Sequence, residues 1–284
     1  MSHLVTVEEL GTELSVGAPV RLLDVRWRLN EPEGRPAYLG SHIPGAVYVD
    51  LERELSRLGH PEEGRYPLPD RAQLEQTARR WGISDGDRVV VYDDNDGVAA
   101  ARAWWLLRGH GVHVRLLDGG FPAWLHSGNR LARGDHISTS GDVTLSASSL
   151  RTVSIGEVAS AVRPGFLVDV RAPQQYRGQV NGLEAVAGHI PGAINIPTVT
   201  HIDSRGRLLS PDRIRETLRS HGLEPSTPVI VYCNNGIASA HSALAFESAG
   251  YQPQLYAGGW SQWSRSPGRP IAIGRTPAEV IVAA

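Results

Sequence analysis

The sequence predicts an α/β protein built of two tandem copies of one domain, each a mainly parallel sheet flanked by helices. Three observations predict it. The same five sequence blocks occur in the same order in both halves of the chain. Short apolar runs rich in Val, Ile and Leu alternate with helix-like stretches, the pattern of parallel strands covered on both faces. The 284 residues are enough for about two domains.

The blocks can be taken in order. Val5-Thr6-Val7-Glu8-Glu9-Leu10 and Val153-Ser154-Ile155-Gly156-Glu157-Val158 each read as a short strand entering a helix. Thr6 with Glu9, and Ser154 with Glu157, carry the capping-box spacing. Leu22-Leu23-Asp24-Val25-Arg26 and Leu167-Val168-Asp169-Val170-Arg171 are apolar strands ending in a charged pair. His42-Ile43-Pro44-Gly45-Ala46 returns as His189-Ile190-Pro191-Gly192-Ala193, and the Pro-Gly predicts a tight turn into the next strand. Val89-Val90-Val91-Tyr92-Asp93 parallels Val229-Ile230-Val231-Tyr232-Cys233, each followed by a helix stopping near Gly111 or Gly250. Gly119-Gly120 with Trp124 matches Gly258-Gly259 with Trp263. The expected boundaries are a first domain over residues 1–128, a linker over 129–149 rich in Gly, Ser, Thr and Asp, and a second domain over 150–284.

The second copy of the fourth block carries the chemistry. A β-branched run ends at Cys233, a short loop follows, and Ser239 to Glu247 reads as a helix. The amides of such a turn lack intrahelical partners, and the helix dipole adds positive charge. Both favour thiolate over thiol. A single cysteine is ordinarily a small buried apolar residue. The position at a strand's carboxyl end, where open α/β sheets place their ligands, favours a nucleophile instead.

Composition excludes several classes. The net charge is −2 with no long basic block, so neither nucleic acid nor an anionic membrane is an expected partner. No apolar run reaches the ~20 residues of a membrane helix. Met1 to Thr6 has no basic region followed by an apolar core, and one cysteine cannot form an internal disulfide. These features fit a cytoplasmic location. The single Met and the scattered His residues show no ligand spacing, so no metal site is expected.

Together the duplicated Asp-x-Arg, His-Ile-Pro-Gly-Ala, strand-Cys-loop-helix and Gly-Gly-x-x-x-Trp blocks resemble the tandem-domain rhodaneses, the thiosulfate and 3-mercaptopyruvate sulfurtransferases. The resemblance covers nearly the whole chain. It implies two rhodanese domains, of which only the C-terminal copy has a catalytic cysteine. That residue is Cys233, and the matching position of the inactive copy is Asp93. The implied activity moves a sulfane sulfur from thiosulfate or 3-mercaptopyruvate, through a Cys233 persulfide, to cyanide or a thiol, including a sulfur-accepting protein. The implied cradle is Asn234, Asn235, Gly236, Ile237, Ala238 and Ser239, and no cofactor is needed.

Two departures stand out. The loop is Cys-Asn-Asn-Gly-Ile-Ala, neutral like the mercaptopyruvate type, but with Asn235 where that type has Ser and Ala238 where it has Thr. Gln174-Gln175 stands where many members have Gly-Arg, so Arg177 is the candidate substrate cation. Arg171, His42 and Arg35 are further substrate-binding candidates; Arg171 also reads as an ion-pair partner of Asp169, and the His-Ile-Pro-Gly motifs also read as turn geometry alone. A Cys-based phosphatase of the same fold needs Cys-x5-Arg, and the sixth residue after Cys233 is Ser239. The alternative of another class is a non-catalytic sulfur carrier or interaction module that receives its persulfide from a partner protein.

Overall fold

The computed structural model describes residues 3–160, 167–184, 186–277 and 280–283. Two compact units emerge. Unit 1 holds Met1–Arg57, Leu68–Leu150 and Asp203–Leu208; unit 2 holds Leu58–Pro67, Arg151–Ile202 and Leu209–Ala284.

In unit 1 the elements run β1 (Leu4–Val5), α1 (Val7–Ser15), β2 (Val20–Asp24), α2 (Arg35–Gly40), β3 (Ala46–Tyr48), α3 (Leu51–Glu54), α4 (Arg71–Arg80), β4 (Arg88–Tyr92), α5 (Val98–Gly109), β5 (His113–Leu117) and α6 (Gly120–His126). The strands form one sheet in the order β1-β5-β4-β2-β3, with every pairing parallel. Val89, Val90, Val91 and Tyr92 of β4 are fully buried, as a strand covered on both faces requires. Thr6 and Glu9 close the expected capping box on α1.

Unit 2 contains α7 (Ile155–Ser160), β6 (Leu167–Asp169), α8 (Pro173–Tyr176), β7 (Ile194–Asn195), α9 (Pro211–Ser220), β8 (Ile230–Tyr232), α10 (Ala238–Ser248), β9 (Gln254–Leu255), α11 (Gly259–Trp263), β10 (Pro270–Ile273) and β11 (Val280–Ala283). Its main sheet runs β7-β6-β8-β9, again wholly parallel. The strand expected near Val153 is reduced to a bridge between Thr152 and Leu255, while Ser154 and Glu157 do cap α7. An antiparallel ribbon, β10 against β11, adds to the expected parallel architecture. The core gathers Val158, Leu167, Tyr176, Ile190, Tyr232, Trp260 and Trp263 around the sheet.

Residues 129–149 are not a free linker. They belong to unit 1, where Gly141 N donates to Arg79 O, Val143 N to Ile83 O and Ser146 N to His110 O, with Val143 and Leu145 buried. A strap that bonds to loops and helix ends, without a strand partner, shows no alternation for a sequence reading to detect. Each unit also takes in a short segment from the other half of the chain, residues 58–67 in unit 2 and 203–208 in unit 1.

Candidate active site

The site is built at the carboxyl end of β8, which lies between β6 and β9. Cys233 follows the strand and is 2% exposed. Gly236 takes the left-handed conformation at φ 79°, which turns the chain into α10. The Cys233 Sγ lies 3.5 Å from Asn235 N, which donates to it, 3.5 Å from Ser239 Oγ and 3.9 Å from Asn235 Oδ1. The loop is held from behind by the Gly-Gly-x-x-x-Trp block: Trp260 N donates to Cys233 O and Ser261 N to Asn234 O, both at 2.8 Å. Gly259 must be glycine here. Its φ is 57°, and a Cβ would stand 2.5 Å from Cys233 O.

Unit 1 contains the same loop with a carboxylate in place of sulfur. Asp93 is fully buried, and four amides point at it: Asn95 N and Gly97 N donate to Oδ1, Ala99 N and Ala100 N to Oδ2, at 2.8–2.9 Å. Phe121 N donates to Asp93 O, and Gly120 repeats the strained φ of 57°. The turn is thus an anion cradle in its own right. Burial pushes the Asp93 pKa up to about 6 against the pull of the amides. The folded value lies above the ordinary 3.8, so the stability this carboxyl contributes is fully present below pH 3.8 and is lost as pH rises through about 6.

This geometry predicts the effect of Asp93→Asn. Asparagine offers one oxygen to two of the four amides and turns its own N–H groups toward the others. Leaving such donors unpaired costs about 1–3 kcal/mol. Unit 1 should melt earlier at neutral pH, and the slope of stability between pH 4 and 6 should flatten. Sulfur transfer should stay within about tenfold of wild type, since the variant does not touch Cys233. Thermal denaturation across pH, paired with a transfer assay, checks both; a hundredfold loss of transfer with the fold intact would place unit 1 in the chemistry.

The duplication also sorts the remaining candidates. Arg171 Nη2 donates to Asp169 Oδ2 at 2.6 Å and to Gly188 O at 2.7 Å, and the guanidinium lies 4.8 Å over the Trp260 ring. Burial works against the Arg171 charge, but Asp169 and, more weakly, the nearby Tyr232 and Cys233 hold its pKa above the ordinary range. Arg26 repeats the arrangement with Asp24, Ser41 O and the Phe121 ring, in the copy that has no cysteine. Arg171 therefore matches its ion-pair reading, with Nε and Nη2 both engaged within unit 2. His42 Nδ1 lies 2.9 Å from Tyr38 O with the rings stacked at 4.1 Å, and His189 does the same with Tyr176. Ala46 N to Ile43 O and Ala193 N to Ile190 O close the two Pro-Gly turns, with Gly45 at φ 84° and Gly192 at 85°. His42 is thus a turn residue of unit 1 in a role that both copies share. Arg35, also in unit 1, pairs with Asp135 at 2.5 Å. Of the four substrate candidates only Arg177 remains uncommitted: it is half-buried after α8 and has no ion pair among the described residues.

One cluster escaped the sequence reading. Glu184 is buried in unit 2 and pairs with Arg65 Nε and Arg265 Nη2, both at 2.9 Å. Arg65 Nη2 also donates to Leu183 O, and its amide donates to Ser261 Oγ. Ser261 in turn holds the Cys233 loop through Asn234 O. The three charges stand far apart in sequence, so no spacing rule joins them. Among the described residues no three His, Cys, Asp or Glu side chains cluster as metal ligands.

Comparison with known proteins fits this geometry. The Rhodanese-like domain family matches residues 6–127 and 154–266. The chain is 41% identical over 275 residues to the putative thiosulfate sulfurtransferase SseB of Mycobacterium tuberculosis, covering 95% of this chain and 97% of the relative. It is 38% identical to the probable 3-mercaptopyruvate sulfurtransferase of Pseudomonas aeruginosa, covering 96% and 99%. The crystal structure of the 3-mercaptopyruvate sulfurtransferase SseA from Escherichia coli superposes with a TM-score of 0.81 at 27% identity, covering 92% of this chain and 99% of that one.

Proposed function

From the premise that the chain belongs to the rhodanese family and is a sulfurtransferase, we propose that Cys233 carries the transferred sulfur as a persulfide. The observation that supports this most is the pair of loops. One holds a permanent carboxylate on four amides, and the other has the same turn with a sulfur at its root. A second sulfur on Cys233 would carry the negative charge into the place the carboxylate marks.

The chemistry balances for either donor. The Cys233 thiolate attacks the outer sulfur of thiosulfate, an S–S bond forms, and sulfite leaves with the bonding electrons. With 3-mercaptopyruvate the thiolate attacks the thiol sulfur, the S–C bond breaks, and the enolate of pyruvate leaves. The proton of the donor's thiol passes to the enolate carbon. A cyanide or thiol acceptor then attacks the outer sulfur and frees the Cys233 thiolate, a ping-pong sequence. Asn235 N and the amides of Ile237 and Ser239 stabilise the persulfide charge as an oxyanion hole stabilises oxygen.

The donor follows from charge. Thiosulfate is a small dianion that gains from a cation beside the sulfur, and Asn234 and Asn235 supply none. A donor with a carboxylate can be held farther out, by Arg177. We therefore expect a higher kcat/KM for 3-mercaptopyruvate than for thiosulfate. A charged hydrogen bond is worth about 1.5–3 kcal/mol, so Arg177→Ala should cost the mercaptopyruvate reaction roughly 10- to 150-fold and thiosulfate much less. Asn234→Arg should raise thiosulfate use. Thiocyanate formation, assayed with each donor at matched pH and ionic strength, tests all three; a wild-type preference for thiosulfate would refute the donor assignment. Equal losses with both donors in Arg177→Ala would show loop damage instead of carboxylate recognition.

A further inference from the structure

Ser239 is fully buried in the first turn of α10, and its hydroxyl has one partner among the described residues, the Cys233 sulfur at 3.5 Å. That choice of partner is unusual for a helical hydroxyl, which ordinarily turns back to a carbonyl three or four residues earlier. Several hydroxyls of this chain do so: Thr12 bonds Glu8 O, Ser160 bonds Gly156 O, Thr217 bonds Arg213 O and Ser248 bonds Ala245 O, while the buried Ser242 of α10 turns to Thr198 Oγ1. Ser239 forgoes that bond and faces the sulfur. The matching residue of the copy without a nucleophile is Ala99, which contributes only its amide to Asp93. A hydroxyl is thus present where a sulfur must be held and absent where a carboxylate has replaced it.

The amides divide in the same way. In unit 1 four of them reach the carboxylate oxygens, which stand two bonds beyond the Asp93 Cβ. In unit 2 the shorter Cys233 side chain meets only Asn235 N, and the amides of Ile237 and Ser239 have no acceptor among the described residues. Those two amides match Gly97 N and Ala99 N, which hold the outer atoms of Asp93.

We propose that the Ser239 hydroxyl is a catalytic group that donates its hydrogen bond to the resting Cys233 thiolate, in addition to the amide cradle that holds the persulfide. This rests on the reading of Cys233 as the sulfur carrier.

The test is the rate of Cys233 alkylation by iodoacetamide across pH in the full-length protein, which needs no sulfur donor. Its failure is therefore distinct from a failure of sulfur transfer itself. In Ser239→Ala the pH midpoint of alkylation should rise by about one unit, a roughly tenfold slower reaction near neutrality that recovers at high pH. Discharge of a preformed persulfide to cyanide frees the Cys233 thiolate as its leaving group, so it should also slow, by up to the same factor. Ser239→Thr and Ser239→Val form a near-isosteric pair that differs by the hydroxyl, and they keep the test sound if the alanine variant fails to fold. Thr should follow wild type and Val should follow the shifted profile. An unshifted profile in Ser239→Ala, or coincident profiles for Thr and Val, overturns the proposal.

Discussion

Cys233→Ser is expected to lower sulfur transfer by at least about a thousandfold, more than 4 kcal/mol of barrier, with both donors. A serine hydroxyl is not ionised at neutral pH, and among the described residues the groups bonded to Cys233 Sγ are an amide N–H, a carboxamide oxygen and a hydroxyl, none of them a general base. Even a serine alkoxide would yield no persulfide. Intact-protein mass after donor treatment should gain one sulfur atom in the wild type and none in the variant. The substitution is nearly isosteric at a buried position, so the fold should survive and the melting transition should move little. Substantial turnover by the serine variant would refute the persulfide mechanism, and sulfur loading of wild type without turnover to cyanide would favour a carrier over an enzyme.

The largest expected effect on stability belongs to Asp169→Asn. Asp169 is fully buried and accepts bonds from the Arg171 amide, Nε and Nη2. Arg171 is 5% exposed and holds Gly188 O, the residue before the His-Ile-Pro-Gly turn. Removing the carboxylate charge leaves a guanidinium buried with no counter-ion, which costs about 3–5 kcal/mol. The unfolding transition of unit 2 should shift accordingly in denaturant. Asp24→Asn should do the same to unit 1, because Arg26 is held there by the same bonds. A loss in Asp169→Asn below about 1 kcal/mol would mean the pair is solvated and that Arg171 is available for another role. The matched result in the copy without a nucleophile separates structural cost from catalytic cost.

The class of fold and the duplication were legible in the sequence, and so was Cys233 as the candidate nucleophile. Those rest on local patterns, namely apolar runs of strand length, capping boxes at Thr6 and Ser154, Pro-Gly turns, and a cysteine at a strand end, which survive into the structure because each is enforced by backbone chemistry over a few residues. The duplicated Asp-x-Arg and His-Ile-Pro-Gly motifs were visible too, but not their role. Only the tertiary structure showed that Arg26 and Arg171, or His42 and His189, make the same bonds in both copies, with and without a cysteine. It alone decided that residues 129–149 are packed on unit 1, that Glu184 joins Arg65 and Arg265, and that the Ser239 hydroxyl faces the Cys233 sulfur. These contacts depend on where side chains from separate elements converge, and on which of several partners a hydroxyl or guanidinium takes. Such choices are set by packing and by the need to pair every buried polar group, and no spacing along the chain encodes them.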